Sequence, residues 1–374
     1  MRKIIWLILI ASVGSAGWFA WAVLTPTEPS QPTFVMLHPG YSTHRIAAEL
    51  KGAGLIRSEE AFVLWHYLHP KRSLKAGEYL FDKPANAIDI MRRLTRGDVY
   101  FRTVVVPEGF TMFDIARAVE AAGLGPADDF LKEAQSDTAM IADIAPNAHS
   151  LEGYLFPETY QFSRMMTMRE MAFAMVCQFH KVARQIGLIP PMPSEPAESS
   201  AHAPAGSGMI CAGVWTRFND GNGNEANGHD ATEVAPPTPL ERTVIMASIV
   251  EKETSVPEER PLVAGVYYNR LAKNVALDAD PSIIYAELLA GTYTGKLHHE
   301  DMQFSSPYNT YRHAGLPPSP IGNPGRSALE AAMNPAQSDY FYFVADAEGH
   351  HRFARTMEEH DKNVAAYRKA MRGR

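Results

Sequence analysis

Thr238-Pro239-Leu240-Glu241-Arg242-Thr243-Val244-Ile245-Met246-Ala247-Ser248-Ile249-Val250-Glu251-Lys252-Glu253-Thr254 is the stretch whose reading decides the fold. A Thr cap, a Pro at the first helical position and a Glu three residues after the cap together start a helix. Its body, Val244 to Val250, is apolar nearly all round, and a helix of that kind is buried. The helix delivers Glu251-Lys252-Glu253-Thr254 at its end, where a carboxyl can sit against apolar walls and still meet a cleft. Burial disfavours the charged form, so such a carboxyl can stay protonated near neutral pH and serve as a general acid. A frayed, solvated helix end has the same spacing, and the pattern by itself does not separate the two.

Working outward to the C-terminal side, Leu262 to Leu271 reads as a second helix with Val263, Val266 and Tyr267 inward. Asn269 in its last turn can bond a neighbouring loop or cap the turn. Leu277-Asp278-Ala279-Asp280-Pro281-Ser282-Ile283-Ile284-Tyr285 gives a turn and a further helix, and Ser306-Pro307-Tyr308-Asn309-Thr310-Tyr311 and Gly315-Leu316-Pro317-Pro318 give rigid loops rich in aromatics and amides. Tyr rings cover the apolar faces of pyranoses, and Asn and Thr pair with hydroxyl and acetamido groups, so these loops suit an uncharged sugar ligand. Each Tyr taken singly reads equally as core.

On the N-terminal side, residues 190–237 switch to Pro, Ser, Gly, Asn and Ala and carry too little apolar surface to offset the entropy of ordering, which predicts a long insertion. Within it Asp220-Gly221-Asn222-Gly223-Asn224-Glu225 faintly resembles a calcium loop but lacks the sixth-position Gly and a Glu at position twelve. Earlier still, Met168 to Ile186 has helical apolar spacing. Two segments, Val35 to Leu50 and Val104 to Val119, repeat one pattern of an extended run, a Pro/Gly turn with a hydroxyl cap, and an amphipathic helix. The repeat resembles LysM-like modules, which grip N-acetylated sugars; a purely architectural duplication fits it as well.

After Arg2 and Lys3 the chain runs without a charge from Ile4 to Leu24, long enough to cross a bilayer, before Thr25 to Pro32 forms a proline-rich tether. Arg2 and Lys3 favour a cytoplasmic N-terminus and export of the rest. The competing reading is a signal peptide cut near Ala11 to Ala16. The formal net charge of −7 over 374 residues argues against nucleic acid as a partner. The cysteines, Cys177 and Cys211, show no zinc or redox spacing and read as free thiols or as one disulfide. His298-His299 and His350-His351 are adjacent pairs unlike a helical zinc site, so neither a metal nor any other cofactor is expected.

The motifs taken in order resemble the YceG-like (MltG) family of endolytic murein transglycosylases. They are Val106 to Thr111, Leu151-Glu152-Gly153 with Pro157, Ile249 to Thr254, Tyr268 to Leu271, Asp280-Pro281-Ser282, Tyr308 to Tyr311, Gly315 to Pro318, Asn323-Pro324-Gly325, and a hairpin around Tyr342 to Asp346 with His351 and Phe353 before a last helix. The resemblance implies an α+β protein: a transmembrane anchor at 1–24, a linker at 25–32, a LysM-like α+β module at 33–100, and a mixed YceG-like catalytic domain at 101–374 carrying the insertion. It implies Glu251 as the acid and then the base, with Glu253 as the fallback. Substrate contacts are implied from Glu253, Asn269, Asp280, Ser282, Tyr285, Tyr308, Asn309, Thr310 and Tyr311. Asp278 stands where the family pattern leads one to expect Gln, which puts one substrate contact in question.

The implied reaction is cleavage between N-acetylmuramic acid and N-acetylglucosamine in nascent peptidoglycan glycan strands, leaving 1,6-anhydro ends, by an enzyme anchored in the inner membrane and facing the periplasm. Wall-synthesis (penicillin-binding) proteins are the candidate protein partners. Two rivals remain: a hydrolase in which water replaces the C6 hydroxyl with help from a second carboxylate such as Asp280, and a wall-binding scaffold without activity.

Overall fold

A computed structural model describes residues 2–69, 73–191 and 236–372. The insertion expected at 190–237, apart from its ends, and the calcium-like run at 220–225 lie outside the described residues, as does Cys211. Cys177 is disulfide-bonded, which replaces the free-thiol reading.

The chain divides into two compact units. The first comprises residues 1–103 with 122–124 and 161–167. It opens with helix α1 (Arg2–Leu24) and continues through β1 (Thr33–Leu37), α2 (Thr43–Gly52), α3 (Glu59–Tyr67), β2 (Gly77–Phe81) and α4 (Ala87–Arg96). The 23 residues of α1 make it the one helix among the described residues long and apolar enough to cross a membrane. Its side chains from Ile4 to Ile10 are exposed, and only Ala22 and Val23 in the last turn are buried.

The strands β1 and β2 pair antiparallel, with Thr33 opposite Phe81 and Leu37 opposite Gly77. Ser42, Ser58 and Asn86 cap the three short helices by accepting from the backbone N–H three residues on, which fixes where each begins. Leu37, Leu50, Phe62, Tyr79, Phe81, Ile90 and Leu94 form the core of this unit. One carboxylate is buried there, Glu78, and Arg102 compensates it at 3.2 Å.

The second unit comprises residues 104–121, 125–160 and 168–374. Strands β3 (Arg102–Val105) and β4 (Thr159–Phe162) form a two-stranded sheet. Helices α5 (Met112–Ala121), α6 (Ala127–Ser136) and α7 (Met168–Gln185) pack in sequence. Beyond the insertion come α8 (Pro239–Glu253), α9 (Arg260–Ala272), α10 (Asp280–Ala290) and α11 (Arg326–Met333). An antiparallel hairpin, β5 (Tyr342–Ala345) and β6 (His351–Ala354), precedes α12 (Met357–Arg372).

The decisive helix is α8. Thr238 accepts from the Glu241 N–H at 3.3 Å while the Glu241 carboxylate accepts from the Thr238 N–H at 2.6 Å, the reciprocal cap that the sequence predicts. Val244 to Val250 are all buried, and α8 packs against α9, α10 and α11. Burial on every side explains why its hydrophobic residues show no single stripe. Of the two repeated segments, the first folds as β1, turn and α2, and the second as β3, turn and α5. The α+β class holds, whereas no LysM-like module is established.

Candidate active site

The two acidic residues at the end of α8 are two positions apart, about 200° around a helix, so their side chains leave on opposite sides. Glu251 turns into an ion pair. Its carboxylate accepts from Arg260 Nη2 at 2.6 Å and from the Gly325 N–H at 3.0 Å, and the two charged side chains are only 4% and 5% exposed. Arg260 also reaches Glu108 at 3.4 Å. Burial pushes the Glu251 carboxyl above its ordinary range, and the Gly325 N–H and the Arg260 guanidinium pull it back. One donor falls on each of its two oxygens. A Cβ at Gly325 would meet the Glu108 carboxylate, so any larger residue there would have to displace that side chain.

Glu253 turns into a cavity of about 540 Å³. Its lining combines residues of α9 and α10, the 277–280 turn, Tyr311, the β5–β6 hairpin and the start of α12. Burial raises the Glu253 carboxyl to about 7, opposed by a hydrogen bond from the Tyr267 hydroxyl and reinforced by the nearby Asp280 charge. Tyr311 donates to Asp280 Oδ1 at 2.6 Å, which orients that carboxylate on the same cavity wall. Glu251 is not among the lining residues.

A second buried carboxyl supports this end of α8. Glu152 is fully buried and accepts from the Met112 N–H at 3.0 Å, at the start of α5, and from Asn323 Nδ2 at 2.7 Å. Burial raises it to about 8, against hydrogen bonds from Met112 and Tyr285. Asn323 is a hub: its Oδ1 accepts from the Gly153 and Leu155 N–H groups at 2.9 Å each, and its Nδ2 donates to Phe110 O as well. The Val106 to Thr111 turn, the Leu151 to Gly153 turn and the Asn323 to Gly325 turn are thereby held together. Their conspicuousness in the sequence reflects this buried polar network, in which each amide atom has a partner.

Among the residues expected to touch substrate, Glu253, Asp280 and Tyr311 line the cavity together. The other six do not line it. Asn269 donates from Nδ2 to the carbonyls of Ser338 and Tyr340, clamping the chain ahead of β5. Ser282 and Thr310 are buried and bond each other at 2.9 Å, and Thr310 Oγ1 also accepts from the Ala279 N–H. Asn309 donates to the carbonyls of Met302 and Phe304. Tyr285 packs at a tilt on Tyr308 with ring centroids 5.3 Å apart, and Tyr308 OH meets Ser319 Oγ at 2.7 Å. Asn269, Asn309 and Thr310 are used to satisfy backbone groups of the surrounding loops, as a chain folded against a core requires, and the two tyrosines pack with each other.

Several lining residues are absent from the sequence expectation. Tyr267, which its helical spacing turns inward, lines the cavity, as do Arg270, Tyr342, Phe343, His351 and His360, for which the sequence offers no ligand-contact signal. His351 Nδ1 bonds Glu259 Oε2 at 2.6 Å, and the His350 ring bonds the same carboxylate at 3.0 Å. The β5 residues Tyr342 to Ala345 all line the cavity, so the alternation of a strand does not pick out the contacts. Among the described residues no group of three His, Cys, Asp or Glu side chains is arranged to hold a metal ion.

Comparison with known proteins agrees with this architecture. The YceG-like family model matches residues 35–366. A protein of Bacillus subtilis (strain 168) named "Endolytic murein transglycosylase" is 30% identical over 372 residues, which cover 95% of this chain and 91% of that protein. A protein of the same name in Streptococcus pneumoniae serotype 2 is 26% identical, the match covering 96% of this chain and 64% of the relative. The crystal structure of a yceG-like protein from Listeria monocytogenes superposes with a TM-score of 0.52 at 28% identity, covering 89% of this chain and 99% of that one. The chain belongs to the YceG-like family.

Proposed function

We propose that this protein is an endolytic murein transglycosylase whose acid and base is Glu253, with Glu251 in a supporting position. The observation that carries the assignment is the contrast at the end of α8. Glu253 lines the cavity with a pKa raised to about 7, while Glu251 accepts from Arg260 and Gly325 and is not among that cavity's lining residues. An acid whose pKa lies near the working pH is best placed both to give a proton and to take one.

Peptidoglycan glycan alternates N-acetylglucosamine with N-acetylmuramic acid, whose lactyl carboxyl is joined to a peptide by an amide bond. In the proposed reaction the Glu253 carboxylic acid protonates the oxygen between muramyl C1 and the glucosaminyl C4, and the C1–O bond breaks. The muramyl C6 hydroxyl then attacks C1 and its proton passes to the Glu253 carboxylate. This closes a 1,6-anhydro ring and restores the acid, so no water is consumed. Asp280, oriented by Tyr311, supplies negative potential beside the positive charge that develops at C1.

The location of the activity follows from α1. We read this helix as a single-pass anchor in the inner membrane, with Arg2 and Lys3 on the cytoplasmic side and both units in the periplasm. The β1-α2-α3-β2 order of the first unit supports the LysM-like reading, with glycan strands as its ligand. Wall-synthesis (penicillin-binding) proteins remain the proposed protein partners.

Mass spectrometry of soluble products from purified peptidoglycan tests the reaction, with wild type beside Glu253→Gln and Glu251→Gln. Anhydromuramyl ends that disappear in Glu253→Gln and persist in a folded Glu251→Gln are expected. Loss only with Glu251→Gln would return the acid to Glu251. Ordinary reducing ends would make the enzyme a hydrolase, and a folded wild type that binds glycan without cutting it would make it a scaffold.

A further inference from the structure

The cavity that holds Glu253 has an uneven charge balance. Its lining contains three carboxyl groups, Glu253, Asp278 and Asp280, and a single guanidinium, Arg270; of its two imidazoles, His351 is bound to Glu259 at 2.6 Å and burial lowers the pKa of His360. Near neutral pH Glu253 spends much of its time protonated, which leaves two carboxylates against one cation. That cation is also committed. Arg270 Nη1 donates to Leu277 O at 2.6 Å and pairs with Asp278 Oδ2 at 3.1 Å, and the guanidinium lies over the Tyr342 ring at 5.3 Å. The Arg270 side chain is 11% exposed, against 37% for Asp278, so the carboxylate is the more accessible half of the pair.

Asp278 is held in an unusual conformation to make this contact. Its φ is +53°, in the left-handed region that few residues other than glycine adopt, Asp and Asn being the most tolerated. The neighbouring backbone is fixed by Thr310, whose Oγ1 accepts from the Ala279 N–H at 2.9 Å and whose carbonyl accepts from the Asp278 N–H at 3.4 Å. A strained residue persists where its surroundings over-determine it, and such residues gather at ligand sites. Here the consequence is a carboxylate placed on the only Arg or Lys that lines the cavity.

We propose that Asp278, by neutralising Arg270, makes this cavity select glycan whose lactyl groups are capped by an amide and disfavour glycan with free lactyl carboxylates. The inference rests on the proposed function, because it takes glycan strands to be the occupant of the cavity. Its physical basis is like-charge repulsion in a partly enclosed space, where specificity is set as much by what is rejected as by what is bound. An unpaired arginine in the same place would attract the free acid; a paired one beside a second carboxylate repels it.

The test uses three forms of one polymer: peptide-bearing glycan strands, strands stripped of peptide by an amidase so that the lactyl carboxylates are free, and stripped strands whose carboxylates are re-capped with methylamine. Full-length protein in detergent is assayed for anhydromuramyl products. The wild type is expected to cut the capped strands about tenfold more efficiently than the free-acid strands, a preference that shrinks as salt is added. In Asp278→Asn, which keeps a residue tolerant of the left-handed conformation, the preference should fall several-fold through a lower KM for the free-acid strands. Equal cutting of capped and free-acid strands by wild type, a preference indifferent to salt, or an unchanged ratio in folded Asp278→Asn overturns the inference while leaving the function intact. Failure to cut any of the three overturns the function on which it stands.

Discussion

Glu251 and Glu253 are separated by one residue and share a helix, a burial level and a chemical type, yet they stand in opposite environments. Glu251 meets a guanidinium and a backbone N–H and is not among the residues lining the cavity that holds Glu253. Glu253 meets a tyrosine hydroxyl, a second carboxylate and a cavity large enough for sugar rings. Burial raises both carboxyls; at Glu251 the Gly325 N–H and the Arg260 guanidinium oppose the rise, and at Glu253 the Tyr267 hydroxyl opposes it while the Asp280 charge adds to it.

The largest effect that breaks or sharpens this contrast is on turnover. Glu253→Gln is expected to lower kcat by about 10²- to 10⁴-fold, the usual worth of a positioned acid, with little change in the melting temperature at pH 5, where the folded Glu253 is protonated and resembles the neutral amide. Product formation by the amide variant within tenfold of wild type would refute the role of Glu253. Glu251→Ala is expected to act on stability instead. Arg260 would be left buried without its main partner, at a cost of about 3 kcal/mol or more, measured by urea denaturation. A loss below about 1 kcal/mol would show that the pair contributes little and would weaken the contrast from the other side.

The pH profile sharpens it further. With the protonated Glu253 required at the start of the reaction, kcat/KM should fall about tenfold per pH unit above about 7, where its carboxyl ionises. A profile flat to pH 9 would place the acid elsewhere. Glu152 and Glu253 also link stability to pH. Both have folded values raised above the ordinary 4.5, Glu152 to about 8 and Glu253 to about 7. The stability each contributes is therefore fully present below 4.5 and is lost as pH rises through 8 and 7 respectively. The melting temperature should decline from pH 5 to pH 8, and Glu152→Gln should flatten the upper part of that decline. The smallest expected effect is Thr238→Ala, which removes one cap at about 1 kcal/mol without altering products.

The same contrast measures how much of the site was legible in the sequence. The cap at Thr238, the apolar body and the paired glutamates at the end of α8 are local facts, and the helix follows from them. The choice between the glutamates is not local. Arg260 lies nine residues beyond Glu251, past a break in the helix, and Gly325 lies 74 residues away. Only their convergence pairs Glu251 with Arg260 and Gly325. The loop motifs tell a similar story. Asn309 and Thr310 look like sugar ligands because amides and hydroxyls suit sugars, but the same groups also satisfy backbone, and here their bonds are to Met302, Phe304, Ala279 and Ser282.

By itself the sequence determined the α+β class, the apolar first helix, the capped and buried α8, and the kinship with the YceG-like family. These depend on propensity, periodicity and motif order, which are carried by residues near one another in the chain. Tertiary structure decided which glutamate faces the cavity, which tyrosines line it, and that Asp278 occupies Arg270. Those outcomes depend on desolvation and on charges brought within about 4 Å from distant segments, and a carboxyl's proton affinity is fixed by such neighbours.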